Sequence, residues 1–475
     1  MVRRSILTAV ALVPVLLAAS PVVAASPGAP AIDGRQLGLA WGLPFIGLLL
    51  SIAVMPLAAP SFWHHHFGKV SAAWALLVVV PLAAFHGVST AAYEVIHLLL
   101  LDYIPFIVLL TALFAVTGGI HISGNLRGSP SMNTALLTIG TVLAGWMGTT
   151  GASMLLIRPV IRANDDRRHK VHVFVFFIFL VSNIGGALTP LGDPPLFLGF
   201  LKGVDFFWTT SNLFGEMLVC AIVLLTLFYA MDSYWYRKEG HLKHDPTPET
   251  PVRIEGGVNI VLLTAIVGAV LASGAWKPGV HFTIFHVTLE LQHVLRDLAL
   301  IAICTLSLRL TPGKLRTANA FSWGPMAEVA KLFAGIFVTI APVIAILKAG
   351  SDGAMAPLVG LVTGRDGQPD NVWYFWLTGS LSSFLDNAPT YLVFFNLAGG
   401  DAGHLMGALA GTLTAISCGA VFMGANTYIG NAPNFMVKAI VEAAGIRMPT
   451  FFGYMAWSCA ILIPLFVLLT ALFFL

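Results

Sequence analysis

Apolar stretches of about 20 residues, parted by short polar links, recur from Leu37 to the end of the chain, and stretches of that length cross a bilayer as helices. In the first half the pattern predicts helices over Leu37–Ala58, Val70–Phe85 and Tyr93–Thr117. Two shorter apolar pieces, Thr134–Met147 and Ala152–Ile161, flank Gly148-Thr149-Thr150-Gly151. Each is too short to cross, so together they predict a re-entrant hairpin. An apolar passage over Val171–Leu201 and a helix over Leu213–Trp235 complete the half. The second half runs in the same order, with helices over Gly257–Trp276, Val294–Leu310 and Met326–Leu347. A hairpin over Val372–Leu397 turns at Asp386-Asn387-Ala388-Pro389. A long passage at Leu405–Val441 and a last helix at Phe451–Leu475 follow. The fold class expected is an all-α polytopic membrane protein of two repeats, residues 37–235 and 257–475. Each repeat has about five crossings, one of them broken, plus a re-entrant hairpin. An odd number of crossings per repeat inverts the two copies relative to each other.

The long passages are not continuous helices. Ser182–Pro195 reads SNIGGALTPLGDPP, with adjacent glycines, three prolines and an aspartate at membrane depth. Gly424–Pro433 reads GANTYIGNAP in the equivalent place of the second half. Gly186, Thr189, Gly192 and Pro195 recur as Gly424, Thr427, Gly430 and Pro433 at one constant offset. A backbone broken in mid-bilayer must turn its freed N–H and C=O groups toward protein, water or an ion. A pair of interrupted spans at matching positions of two halves points to a transporter's binding site. The competing reading is a pair of kinked helices with no ligand.

Composition strengthens the membrane assignment: 57% of residues are hydrophobic and 10% charged, with a mean hydropathy of +0.86. Cationic residues sharpen the topology. Those such as Lys69, Arg127, Arg162, Arg167, Arg168, Lys170, Arg237 and Arg316 fall in loops on one side, and far fewer fall on the other. The positive-inside rule therefore places the N-terminus of the mature chain and the C-terminus outside a bacterial cytoplasmic (inner) membrane. The first hairpin then enters from the cytoplasm, the second from outside, and their tips meet near the midplane. Residues 1–25 predict a cleaved signal peptide, with Arg3 and Arg4 before an apolar core and a small-residue site ending at Ala25. An uncleaved anchor is the alternative. Residues 236–256 read as a cytoplasmic linker. Four cysteines, scattered singly, read as small core residues with no disulfide framework.

An ionisable group at membrane depth is costly and marks a functional candidate. Asp386 sits between apolar flanks, with Asn387 and Thr390 beside it. The first tip offers Thr149, Thr150 and Ser153 but no acid. Asn183, Thr189 and Asp193 lie in the first break, and Asn426, Thr427 and Asn431 in the second. Asp193 aligns with Asn431, so again one copy alone carries the charge. Carboxylates and unwound carbonyls suit a hard cation such as sodium, and Asp386 and Asp193 are the sodium candidates. N-capping of a following helix is the plainer role for both acids. Arg158, about two helical turns beyond the first tip, is a candidate to attract an anion or pair with an acid. Its plainer reading is snorkelling to the surface. Glu94, Asp102, Glu216, Asp297 and Glu328 lie near predicted helix ends and read as mostly interfacial, and His64-His65-His66 as a loop.

The first break resembles the motif of the ion transporter superfamily, which includes NhaD-type sodium/proton antiporters, arsenite pumps and citrate/dicarboxylate carriers. The second hairpin, LSSFLDNAPTYLVF, resembles the Ser…Asp-Asn-x-Pro hairpin of the antiporter and arsenite-pump branches. The resemblance implies a cation site using Asn183, Asp193, Asp386, Asn387, Asn426 and Thr427. It also implies a homodimer with a fixed scaffold and a mobile unit holding both hairpins. The first tip, Gly-Thr-Thr-Gly-Ala-Ser, departs from the Ser-Asn-Thr tip of the dicarboxylate carriers.

The function expected is secondary active transport, foremost sodium/proton antiport by alternating access, with sodium and protons competing for Asp386 aided by Asp193. The alternative is a sodium- or proton-coupled carrier of citrate, a dicarboxylate or another anion, held at helix N-termini. Arsenite efflux is a third transport reading. Partners are the bilayer and a small ion or carboxylate, with no nucleic acid and no cofactor beyond the sodium ion and proton. An intramembrane hydrolase is disfavoured: no histidine pair stands at metal-ligand spacing beside an acid, and no Gly-x-Ser-x-Gly elbow occurs.

Overall fold

The structure, a computed structural model, describes residues 30–475 except 125, 241–250 and 365–366. The signal-peptide segment and the middle of the linker therefore lie outside the described residues. The first half comprises α1 (Leu43–Ala58), α2 (Pro60–His86), α3 (Val88–Leu98) and, after a π-turn over Leu99–Tyr103, α4 (Ile104–Thr117). The first hairpin is α5 (Pro130–Met147) and α6 (Thr149–Ala163). The broken span is α7 (Val171–Leu180), a 3-10 turn over Ile184–Leu188 and α8 (Pro194–Leu201), and α9 (Trp208–Glu239) closes the half.

The second half comprises α10 (Gly257–Ala275), α11 (Leu291–Leu310), the short α12 (Gly313–Ala318), α13 (Gly324–Lys348) and the short α14 (Ala356–Leu361). Its hairpin is α15 (Asn371–Phe384) and α16 (Asn387–Leu397). Its broken span is α17 (Ala402–Met406), α18 (Ala410–Met423), a turn at Gly424–Asn426 and α19 (Ala432–Ala443). The chain ends with α20 (Phe451–Leu469). Among the described residues 9 helices are long and apolar enough to cross a membrane. The second broken span is not among them, because its breaks leave no helix of sufficient length.

Several boundaries differ from the sequence reading. α2 begins at Pro60, so His64-His65-His66 lie on a helix and not in a loop: Pro60 can occupy the first turn, where its missing N–H costs nothing. α5 starts at Pro130, where Ser129 Oγ accepts from Met132 N. The first hairpin turns at Gly148 alone, whose φ of 83° only glycine adopts freely, and Thr149 already belongs to α6. The second turns at Leu385–Asp386, with Asn387 already helical. α9 runs to Glu239, past the expected end at Trp235.

Two small antiparallel ribbons stand outside the helical pattern. β1 (His121–Ser123) pairs with β2 (Arg253–Glu255), which lies at the end of the predicted linker. β3 (His281–Ile284) and β4 (Val287–Glu290) form a hairpin turned by Phe285 and His286, both at positive φ.

Of the cysteines, all free, Cys220 and Cys418 are buried as expected, whereas Cys459 is exposed. Asp102 is buried in the π-turn, where it meets Lys202.

α7 explains the centre of the fold. VHVFVFFIFL has no polar face, and a helix apolar all round must be covered all round. Phe174, Phe176, Phe177 and Phe179 are fully buried. Around the two broken spans pack the hairpins and α9, while α2, α4, α10, α11 and α13 pack among themselves, α13 and α4 meeting the hairpins.

The internal repeat extends to single hydrogen bonds. Thr189 Oγ1 donates to Gly145 O at 2.5 Å, and its counterpart Thr427 Oγ1 donates to Ser383 O at 2.5 Å. Thr189 Oγ1 accepts from Leu191 N at 3.1 Å, and Thr427 Oγ1 from Ile429 N at 3.2 Å. In both breaks the threonine thus ties the unwound strand to its hairpin's first limb.

Candidate functional site

The two breaks cross at the centre of the molecule, where neutral amides of one half reach the other. Asn183 Nδ2 donates to Asn434 Oδ1 at 2.8 Å, and Asn431 Nδ2 lies 3.2 Å from Asn183 Oδ1. Asn434 Nδ2 in turn satisfies Gly424 O and Thr427 O, carbonyls freed by the second break. Buried polar groups without partners are costly, and here each break supplies the other's partners.

Asp193 is the hub. It occupies the N-cap position of α8, and Pro194 and Pro195 start that helix, yet its side chain makes no capping hydrogen bond. The carboxylate instead accepts from Thr149 Oγ1 at 2.9 Å and Asn431 Nδ2 at 3.1 Å through Oδ1, and from Asn387 Nδ2 at 2.5 Å through Oδ2. Thr149 and Asn387 are the first residues of α6 and α16, so one carboxylate collects donors from both hairpin tips and the second break. The backbone helps: Thr149 N donates to Gly192 O at 2.8 Å, holding the first tip against its break. Gly186, Gly192, Gly424 and Gly430 permit these close approaches, with Gly192 pressed against Gly186 O and Gly430 against Gly424 O.

Asp386 behaves differently. It caps α16, accepting from Ala388 N at 3.1 Å, while its own carbonyl accepts from Thr390 Oγ1 at 3.0 Å. It is half-buried, and its charge lies close enough to Asp193 to interact with it. Among the described residues no Lys, Arg or His forms an ion pair with either acid. Two amide oxygens next to this cluster, Asn387 Oδ1 and Asn426 Oδ1, are buried and accept nothing, though Asn426 Nδ2 donates to Ser383 Oγ at 2.9 Å.

A cavity of about 100 Å³ opens on Asp193 between α4, α13, the first tip and α19. Thr150 lines it, and Asp193 is the one charged residue in its wall. The structure thus brings Asp193, Asn387, Asn431, Asn183, Asn426 and Thr427 into one contiguous polar cluster. Thr189 serves the backbone of the first break, and Asp386 stands beside the cluster as a cap. Three participants were missing from the sequence reading of the site. Asn434 lies beyond the second break's Pro433; Ser382 and Ser383 precede Asp386, and Ser383 joins the hairpin to Asn426 and Thr427. The constant offset that pairs Thr189 with Thr427 also pairs Gly145 with Ser383, a signal that could have found it.

The chain is similar to proteins named as transporters. An uncharacterized transporter of Mycobacterium tuberculosis and one of Mycobacterium bovis are each 24% identical to the chain over 382 residues, covering 78% of this chain and 84% of theirs. Residues 34–474, nearly the whole described chain, match a family described as "Putative citrate transport". The protein is an integral membrane protein belonging to that transporter family, within the ion transporter superfamily that its two broken-span and hairpin motifs resemble.

Proposed function

We propose that the protein is a cation/proton-coupled secondary transporter, foremost a sodium/proton antiporter, working by alternating access at the crossing of the two breaks. One observation carries the reading: Asp193 is a buried carboxylate facing a cavity, held by three neutral donors and, among the described residues, by no fixed cation. A buried carboxylate needs a compensating positive charge. With no side chain supplying it, an exchangeable cation or proton fills that role. Asn387 Oδ1 and Asn426 Oδ1 are acceptors of the kind a hard cation takes, and Asp386 adds a second charge beside them. In this reading Thr150 and Asn183 shape the path and the amide scaffold respectively.

The two halves, residues 37–235 and 257–475, are read as inverted repeats joined by a cytoplasmic linker. The chain is read as a homodimer in the inner membrane, both mature termini outside. The hairpins and broken spans form the moving unit, and α1–α4 with α10, α11 and α13 the scaffold.

A second reading, coupled carriage of citrate or another small carboxylate, is favoured by the family description. Against it, the wall of the Asp193 cavity holds a negative charge and no positive one. Reconstituted vesicles separate the two. Sodium-dependent pH changes that survive in wild type and vanish in Asp193→Asn and Asp386→Asn support antiport. Gradient-driven uptake of labelled citrate without sodium/proton exchange would overturn it in favour of the carboxylate carrier.

A further inference from the structure

A second cavity lies along the seam between α6 and α19. From the Asp193 cavity both helices run the same way: Thr150 and Gly151 of α6 and Ala432 and Met436 of α19 line that cavity. Farther along, Arg158 and Arg162 of α6 and Ile440 and Ala444 of α19 line a cavity of about 370 Å³. Positions 150, 154, 158 and 162 share one face of α6, and 432, 436, 440 and 444 one face of α19, because residues four apart are neighbours on a helix. The arginines therefore stand roughly 10 Å along the seam from the Asp193 cavity, at 1.5 Å rise per residue. Between the two cavities sits an apolar plug: Met154 packs with Phe114 and Met326, and Met436 lies against them.

The two guanidinium groups are four residues apart on one helix face, an arrangement of like charges that opposes folding unless something compensates it. Among the described residues Arg162 donates one hydrogen bond, to Ile122 O at 2.6 Å. Arg158 Nη1 is buried and has no partner, and Arg162 is its charged neighbour. Among the described residues neither arginine pairs with a carboxylate. An unpaired, partly buried guanidinium fork fits an oxyanion, which it holds by two parallel hydrogen bonds, and the cavity is of ligand size.

We infer that Arg158 and Arg162 form an oxyanion-binding site at the end of the α6–α19 seam, outside the Met154 plug, taking a carboxylate or phosphate group. The inference stands whichever ion passes Asp193, since the arginines and that acid lie on opposite sides of the plug. The group could arrive on a soluble anion or on a phospholipid headgroup, and two arms distinguish them.

In the first arm the full-length protein is placed in nanodiscs of phosphatidylcholine alone, and citrate or inorganic phosphate is titrated calorimetrically. In the second, nanodiscs mixing phosphatidylcholine and phosphatidylglycerol are released into a mass spectrometer, and retained phosphatidylglycerol is counted. Binding in one arm that falls at least tenfold in Arg158→Gln, and less in Arg158→Lys, is the expected result, and the arm that responds names the source. Should Arg158→Gln fail to fold, Arg162→Gln carries the same comparison. Anion and lipid binding unchanged in these variants, or absent in both arms, overturns the proposal.

Discussion

Asn387 Nδ2 lies 2.5 Å from Asp193 Oδ2, joining the second hairpin to the first break across 194 positions of sequence. The contact makes Asn387 two-sided. Its nitrogen neutralises part of the Asp193 charge, while its oxygen is buried with nothing to accept. A charge-assisted hydrogen bond contributes about 1.5–3 kcal/mol. A lost cation ligand of similar worth corresponds to roughly tenfold or more in affinity. Asn387→Ala is therefore expected to raise the half-saturating sodium concentration of vesicle antiport about tenfold. An unchanged sodium dependence would remove Asn387 from the ion path.

The glycines of the breaks make a second expectation. A Cβ on Gly192 would stand 2.2 Å from Gly186 O, and one on Gly430 would stand 2.6 Å from Gly424 O. Both obstacles are backbone, which a rotamer change cannot clear. Gly192→Ala and Gly430→Ala are expected to lose stability by about 1–3 kcal/mol, the range for overpacked interiors, and Gly192→Ala the more. Gly38→Ala, which meets nothing within 4 Å, is the control. Thermal unfolding in detergent reads the order; equal melting of all three would contradict it.

Much of this was legible from residue types and spacing. The apolar stretches located the spans because a helix facing lipid needs length and apolarity, which sequence displays directly. The first broken span was legible because Gly-Gly, Pro-Pro and a buried Asp cannot continue a helix, and the second because its Gly424, Gly430 and Pro433 recur at the offset of the first. The direction of Asp193 was not legible. As an N-cap residue before Pro194-Pro195 its local sequence dictates capping, and only the tertiary approach of Thr149, Asn387 and Asn431 turns its carboxylate inward. Asn434 escaped for the same reason, since a polar residue after a helix-starting proline looks like first-turn decoration. The π-turn at Leu99–Tyr103 was equally hidden: its residues, LLLDY, carry no breaker, and the extra residue per turn answers to a partner on another helix.

Away from the candidate site, a buried charge cluster fastens α9 to the first hairpin. Arg167 Nη2 lies 2.8 Å from Asp232 Oδ1, with both side chains fully buried, and His172 Nε2 lies 2.8 Å from the same oxygen. Asn133 Nδ2 donates to Asp232 Oδ2 at 3.0 Å, and Arg167 Nε meets Glu239 at 3.1 Å. Removing one member of a buried pair strands the other, a cost of about 3–5 kcal/mol. Asp232→Asn is expected to destabilise by that order, measured as a fall in the unfolding midpoint, and to do so more than Lys438→Gln. Lys438 pairs with Glu442 where both are partly exposed, and such pairs contribute roughly 0–1 kcal/mol. Equal losses would mean that the cluster is not what fastens α9.

The last expectation concerns motion. Lys202 closes α8, in the unit proposed to move, and its Nζ lies 2.6 Å from Asp102 Oδ1 in the π-turn of the proposed scaffold. Asp102 is buried and Lys202 partly exposed, so the pair is neither a free surface bridge nor a fully dry one. A π-turn costs helix regularity and is often kept at functional positions; here it presents Asp102 to the end of α8. Displacement of α8 against α3 and α4 must break this contact once per cycle. Lys202→Gln and Asp102→Asn should therefore each shift the balance of conformers away from the one seen here, by about 1–2 kcal/mol or a five- to thirty-fold population change. A cysteine at Thr150, in the wall of the Asp193 cavity, would report it through its rate of labelling by a membrane-impermeant maleimide, with the native cysteines replaced. The charge-reversed double variant Asp102→Lys with Lys202→Asp is expected to move labelling back toward the wild-type rate. Single variants that leave the labelling rate untouched would show that the pair holds no conformer, and that α8 and the π-turn travel together.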